Sequence, residues 1–161
     1  MRFAQDAGSL LLPIAFGFVI DNSDFMQDPL VSFPGYALRR AANATAADLA
    51  ARLAGVGLRQ SDVSLLILVA ANPGTTSSAL GRQLDIQRAN MVPILKRLGD
   101  AGLIARAPID GKSQGLALTD SGSAKLAEGR KVIEQFEREL LERVPEEHRP
   151  HLLPALNALW R

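Results

Sequence analysis

The feature that most restricts this chain is the run from Thr75 to Leu118, TTSSALGRQLDIQRANMVPILKRLGDAGLIARAPIDGKSQGLAL. Ala79, Leu80 and Leu84 give the start of this run one apolar side, which predicts a short helix from about Ser77 to Gln83. Thr76 or Ser77 can cap it, because a hydroxyl there accepts a free N–H of the first turn. A second helix follows a tight turn, with Val92, Leu95 and Leu98 at three-residue steps as its apolar stripe and Ile94 beside them. Gly102 stands where a left-handed residue often ends a helix. Leu103 to Ala107 and Gly115 to Leu118 read as two short strands. The segment between them carries Asp110-Gly111, a strong hairpin signal.

Helix, turn, helix and hairpin in this order make a winged helix-turn-helix. The expected fold is therefore mainly α with a small β-hairpin wing, plus a layer of helices from both ends of the chain. The formal charge of +1 hides a division along the sequence. Residues 1–73 hold five basic and six acidic groups, and residues 116–161 hold seven and eight. Residues 74–115 hold six basic and three acidic groups. The one segment with a cationic surplus carries the helix-turn-helix pattern, where a polyanionic partner needs it.

At 161 residues the chain has the length of one domain with a substantial core. Residues 1–33 differ from the rest, holding five of six phenylalanines and the apolar run Leu10 to Ile20. That run is too short to span a bilayer and is broken by Pro13 and Gly17. No small-x-small cleavage site follows it, so export is not expected, and a cytoplasmic location is. Met26 offers an internal start, which would make residues 1–25 an extension. If ordered, so apolar a segment should pack on something, the partner subunit of a dimer first. A long helix is expected from about Tyr36 to Val56, ended by Gly55 and Gly57. Next comes a helix around Val63 to Ala71, apolar on all sides and hence central, with Ser61 or Asp62 as its cap. Thr119 should cap a second long helix with the stripe Leu126, Ile133, Phe136, Leu140 and Val144. Glu146 and Glu147 open a last helix, in which Pro154 predicts a bend or restart. Residues 34–57 and 119–161 are thus read as dimerisation helices, and residues 58–118 as the winged helix-turn-helix. They carry more apolar face than one small winged helix can cover, which predicts a homodimer.

The phrases Leu103-Ile104-x-Arg106, Asp110-Gly111-Lys112-Ser113 and Leu118-Thr119-x-x-Gly122, in that order, resemble the MarR family of bacterial transcriptional regulators. The resemblance covers about residues 36–161. It implies a homodimeric repressor on a pseudo-palindromic double-stranded DNA operator. It also implies release by a small organic effector, often an aromatic or phenolic acid or its thioester. Two departures stand out. Many relatives carry an arginine where Pro93 stands, and a mid-helix proline costs about 3 kcal/mol. The second helix should therefore start late, at Ala89–Asn90, or kink at Pro93. The wing has one cation, Lys112, where many relatives have two arginines.

The expected base-reading residues are Gln87, Arg88, Asn90 and Met91, at the start of the recognition helix. Ser77 and Ser78 suit phosphate contacts, and Lys96, Arg97 and Lys112 can reach the backbone or adjacent groove. Arg106 and Asp110 are either DNA contacts or, as the resemblance implies, tied to each other as scaffold. The resemblance places an effector pocket between the dimerisation helices and the winged helix. Leu38, Ala42, Leu65, Leu66 and Phe136 are candidate walls, and Arg39, Arg40 or Arg59 a candidate cation. Each apolar wall residue reads equally as ordinary core.

Catalysis, metal and cofactor have no support in the residues. There is no cysteine, and the only histidines, His148 and His151, lie near the end. Glu147 and His151 are one helical turn apart, but two ligands do not make a closed zinc site. No glycine-rich phosphate loop or Gly-x-Ser-x-Gly elbow is present. An enzyme is not expected. The alternative to a regulator is a winged-helix protein-interaction module without DNA binding, favoured only by Pro93 and the lean wing.

Overall fold

A computed structural model of the chain describes residues 27–108 and 114–160. The expectations for residues 1–25, for Asp110 and for Lys112 fall outside these. The chain divides into a unit ending at Ala37 and a second unit from Leu38 onward. In the first, a 3-10 turn over Pro29–Ser32 is capped by Asp28, whose carboxylate accepts the Leu30 N–H and the Tyr36 hydroxyl.

Six helices and one hairpin follow: α1 Pro34–Ala54, α2 Gln60–Ala71, α3 Ser77–Gln83, α4 Arg88–Asp100, β1 Ile104–Pro108, β2 Gln114–Leu118, α5 Asp120–Glu142 and α6 Arg149–Asn157. Helix α1 starts at Pro34, two residues before the expected point, because proline fits the first helical position, where its missing N–H costs nothing. Among the described residues no helix is long and apolar enough to cross a membrane.

Helix α2 is the centre, as its all-round apolarity requires. Val63, Leu65, Leu66 and Val69 are buried among Leu53 of α1, Leu80 of α3, Leu95 and Leu98 of α4, and Leu126 and Phe136 of α5. Its N-terminus is closed from inside the helix. Asp62, in the first turn, accepts the Arg59 N–H at 2.9 Å, so the cap reaches backward instead of standing ahead of the helix.

Helices α1, α3 and α4 end in one way. After each, a residue in the left-handed region lets the next N–H close on a carbonyl five residues back: Leu58 to Leu53, Ile86 to Gly81, Leu103 to Leu98. The turning residues are Gly57, Asp85 and Gly102, with φ of 69°, 52° and 67°. This is the Schellman closure, and Asp85 makes it with a side chain that glycine avoids.

Strands β1 and β2 pair antiparallel, with Ile104 opposite Leu118 and Arg106 opposite Leu116. The loop before α3 joins them: Gly74 N–H donates to the Leu116 carbonyl and Leu116 N–H to that of Thr75, both at 2.9 Å. The wing is thereby fixed to the entrance of the helix-turn-helix. On the other side Thr119, the α5 cap, donates its hydroxyl to the Gly102 carbonyl at 2.6 Å and accepts from Gly122 N–H at 2.9 Å. Gly122 is obligatory here, since a Cβ would lie 1.9 Å from the Leu103 carbonyl oxygen. That contact accounts for the Leu-Thr-x-x-Gly phrase.

The last segment breaks earlier than expected, before Arg149, and the helix does not restart at Pro154, which lies inside it. Glu146–His148 forms a separate 3-10 turn, and α6 begins at Arg149 with Pro150 in its first turn and ends three residues past Pro154.

Candidate nucleic-acid interface

Helix α4 presents two faces, and the sequence assigned one pair of residues to the wrong ones. At about 100° per residue, the steps 91, 95, 98 stay within about 40° of one direction, whereas 92, 95, 98 drift across about 120°. The structure follows the first set. Met91, at 2% exposure, packs in the core with Leu95 and Leu98, while Val92 is 60% exposed. Met91 is therefore a core residue and is not available to bases. Val92 takes its place on the outer face, with Gln87, Arg88, Ala89, Asn90, Pro93 and Lys96 also exposed.

Pro93 neither delays the helix nor falls in its first turn. The helix starts at Arg88, with Gln87 as cap residue, and Pro93 is the sixth helical position. The first four N–H groups of a helix are unpaired in any case, so this proline removes a bond that would otherwise form, to the carbonyl of Ala89.

Arg97 is also reassigned. Its guanidinium pairs with the Asp62 carboxylate of α2, which is almost wholly buried. Burying a carboxylate requires donors, and Asp62 receives two, the Arg59 N–H and Arg97. Arg97 thus anchors the recognition helix to the core, and a phosphate contact is withdrawn for it. Lys96 forms an exposed i,i+4 pair with Asp100 at 2.5 Å, which water screens and a partner can displace.

Two clefts flank Arg88. One, of about 490 Å³, is lined by Thr76, Ser77, Ser78, Arg88, Arg106 and Gln114, above Leu95 and Leu116. The other, of about 370 Å³, lies along the helix-turn-helix elbow and includes Ser77, Ser78, Arg82, Asp85, Gln87 and Arg88. Arg88 and Arg106, from α4 and β1, meet at the first cleft, and both are exposed. Among the described residues neither has an ion pair or a side-chain hydrogen bond. Two guanidiniums without an ion pair among the described residues, beside two serines, have the chemistry that suits a phosphodiester. Gln114 completes the cleft and was not anticipated, because it lay within the presumed turn.

The expected effector walls do not converge in this way. Leu65 and Leu66 are wholly buried core residues, as an all-apolar central helix dictates, while Leu38 and Ala42 are exposed on α1. Arg39 and Arg40 are exposed on the same helix, and Arg59 precedes α2. Phe136 is buried beneath Arg52, whose guanidinium carbon lies 5.6 Å from the ring centroid. Arg52 binds Asp48 at 2.8 Å and Glu139 at 2.7 Å, and so joins α1 to α5. Its hydrogen bond holds Asp48 below its ordinary value of 3.8. Glu139 is held below 4.5 first by its bond from Gln135 and then by Arg52. Asp48 and Glu139 in turn raise Arg52. Arg52 is thus a bridge between the two long helices. Among the described residues no three His, Asp or Glu side chains gather as a metal site.

The MarR family model matches residues 58–111, which take in α2, α3, α4 and β1. A putative transcriptional regulatory protein for the hcr operon of Thauera aromatica is 29% identical over 99 residues, which span 60% of each chain. The HTH-type transcriptional repressor Rv2887 of Mycobacterium tuberculosis is 28% identical over 112 residues, 68% of this chain and 81% of that one. Its complex with salicylic acid has a TM-score of 0.65, at 26% identity, over 78% of this chain and 95% of that one. The transcriptional repressor CouR, bound to a 23-mer DNA duplex, is 34% identical with a TM-score of 0.79, covering 86% of this chain and all of that one. CouR bound to p-coumaroyl-CoA is 33% identical with a TM-score of 0.76, over 86% and 99%. With its core helix, helix-turn-helix and wing matching in sequence and in structure, the chain belongs to the MarR family of transcriptional regulators.

Proposed function

We propose that this chain is a homodimeric, sequence-specific DNA-binding repressor, released from a pseudo-palindromic operator by a small aromatic or phenolic acid or its thioester. One observation carries the DNA-binding part. The exposed start of α4 bears Gln87, Arg88 and Asn90, whose donor and acceptor pairs suit base edges, beside a cleft lined by Arg88 and Arg106. Ser77, Ser78 and Arg106 position the phosphate backbone, Lys96 reaches it further along, and Lys112 extends the contact from the wing. Arg106 is assigned to DNA because its guanidinium opens onto the Arg88 cleft.

The dimer is supported by apolar surface that one chain leaves uncovered. Leu153 is 67% exposed on α6, Leu159 just beyond it is 68% exposed, and Leu141 is exposed on α5. Monomeric proteins seldom expose so many large apolar side chains together. The effector class is supported by the p-coumaroyl-CoA complex of CouR and the salicylic acid complex of Rv2887.

The test is selection of a randomised duplex pool by the full chain. Enrichment of two half-sites about 10 base pairs apart, with a dimer by sedimentation at micromolar concentration, is the expected result. Salicylate or a p-coumarate thioester should then release the selected duplex. A monomer that enriches no sequence would refute the proposal, and would leave a winged helix used for protein contacts.

A further inference from the structure

We propose that Val92, with Ala89 and Pro93 beside it, reads thymine methyl groups in the major groove. The inference rests on the DNA-binding function proposed above and names part of the sequence it selects. Residues 89, 92 and 93 are related by three and four positions, so they form one continuous patch on α4. All three are exposed, Val92 at 60%. The patch begins in the first turn and has Arg88 and Asn90 at its start and Lys96 at its far end.

Folding does not explain these residues. Val92 is β-branched and Pro93 lacks an N–H, so both disfavour a helix interior, and neither is repaid by burial in the core. What they share is apolar surface without a donor or acceptor. Facing a major groove, such a surface has one matching feature, the C5-methyl of thymine, which alone among the groove's functional groups favours apolar contact. The charges around the patch fit the same partner, since Arg88 and Lys96 suit phosphates or guanine and would repel a basic protein surface.

Arg88 and Val92 are four residues apart, about 6 Å along the axis, and base pairs are spaced about 3.4 Å. The thymine read by Val92 therefore lies within about two base pairs of the position that Arg88 reads.

The test takes the duplex selected by the full chain and replaces each thymine in turn with deoxyuridine, which removes the methyl and nothing else. Wild-type protein should lose about four-fold in affinity at one or two positions in each half-site. Val92→Ala should bind the parent duplex several-fold less well and no longer distinguish it from the deoxyuridine duplex at those positions. This variant folds, because the site is exposed and alanine is the better helix former. Should wild-type protein bind the parent duplex while every deoxyuridine duplex binds equally, or should Val92→Ala keep the discrimination, the inference fails and the regulator reading stands. Should no duplex be bound at all, both fail.

Discussion

Asp62 is the residue through which the core holds the recognition helix, and its removal can be worked out in parts. Asp62→Ala deletes the acceptor of the Arg59 N–H, a capping bond worth about 1 kcal/mol. It also strands Arg97. The Asp62 side chain is 5% exposed and that of Arg97 is 32%, so the pair lies between surface pairs, at about 0.5 kcal/mol, and fully buried ones, at 3–5. About 2 kcal/mol is a fair intermediate value, which brings the total to about 3. Asp62→Asn keeps a capping oxygen and loses the charge, so it should cost about 2 kcal/mol. For a chain of this length the Ala variant should melt about 6–12 °C lower. Urea unfolding followed by circular dichroism, at one fixed protein concentration, separates the two variants. Equal losses for Asn and Ala would show that the cap contributes nothing. Losses under about 0.5 kcal/mol in both would refute the anchoring role itself.

Other consequences follow from the same geometry. Gly122→Ala places a methyl 1.9 Å from the Leu103 carbonyl oxygen, so the start of α5 must shift. A loss of about 2–3 kcal/mol or more in denaturant unfolding is expected, and a neutral result would contradict the packing. Asp85→Gly relieves a left-handed side chain at φ 52° and should raise stability by up to about 1 kcal/mol in the same assay. A loss would mean that the Asp85 side chain makes a compensating contact. Asp48 and Glu139 have folded pKa values below their ordinary 3.8 and 4.5, so their contribution is present above those values and disappears as pH falls through the folded ones. The difference in unfolding midpoint between wild type and Arg52→Met should accordingly be full at neutral pH and shrink below about pH 4. A difference that persists unchanged at pH 2 would remove the ion-pair explanation.

Local chemistry was readable along the chain where it acts over a few residues. The Thr76 and Thr119 caps, the Gly57 and Gly102 stops and the pairing of β1 with β2 each depend on neighbours in sequence, and the order of these signals yields the winged helix. Two kinds of information were not local. Met91 and Val92 are adjacent and both apolar, so only the helical phase set by Leu95 and Leu98 decides which is buried. A three-residue count misjudged that phase. The Asp62–Arg97 and Arg52–Glu139 pairs join residues far apart in the chain, and no spacing rule identifies which cation meets which carboxylate. The first pair turned an expected surface cation, Arg97, into a structural one. The site was thus legible in its position and its charge, and less so in which side chains face outward.

If α4 meets DNA with Arg88 at the reading end, binding must depend on salt through the phosphates it contacts. Affinity of the full chain for its selected duplex should be measured by fluorescence anisotropy from about 50 to 200 mM salt, for wild type and Arg88→Ala. A linear fall of log affinity with log salt is expected, with a slope that reports several phosphate contacts. Arg88→Ala should lose about 1–3 kcal/mol and relax the preference at one base position. Affinity that does not change with salt, or an Arg88→Ala variant that binds with unaltered strength and preference, would contradict it.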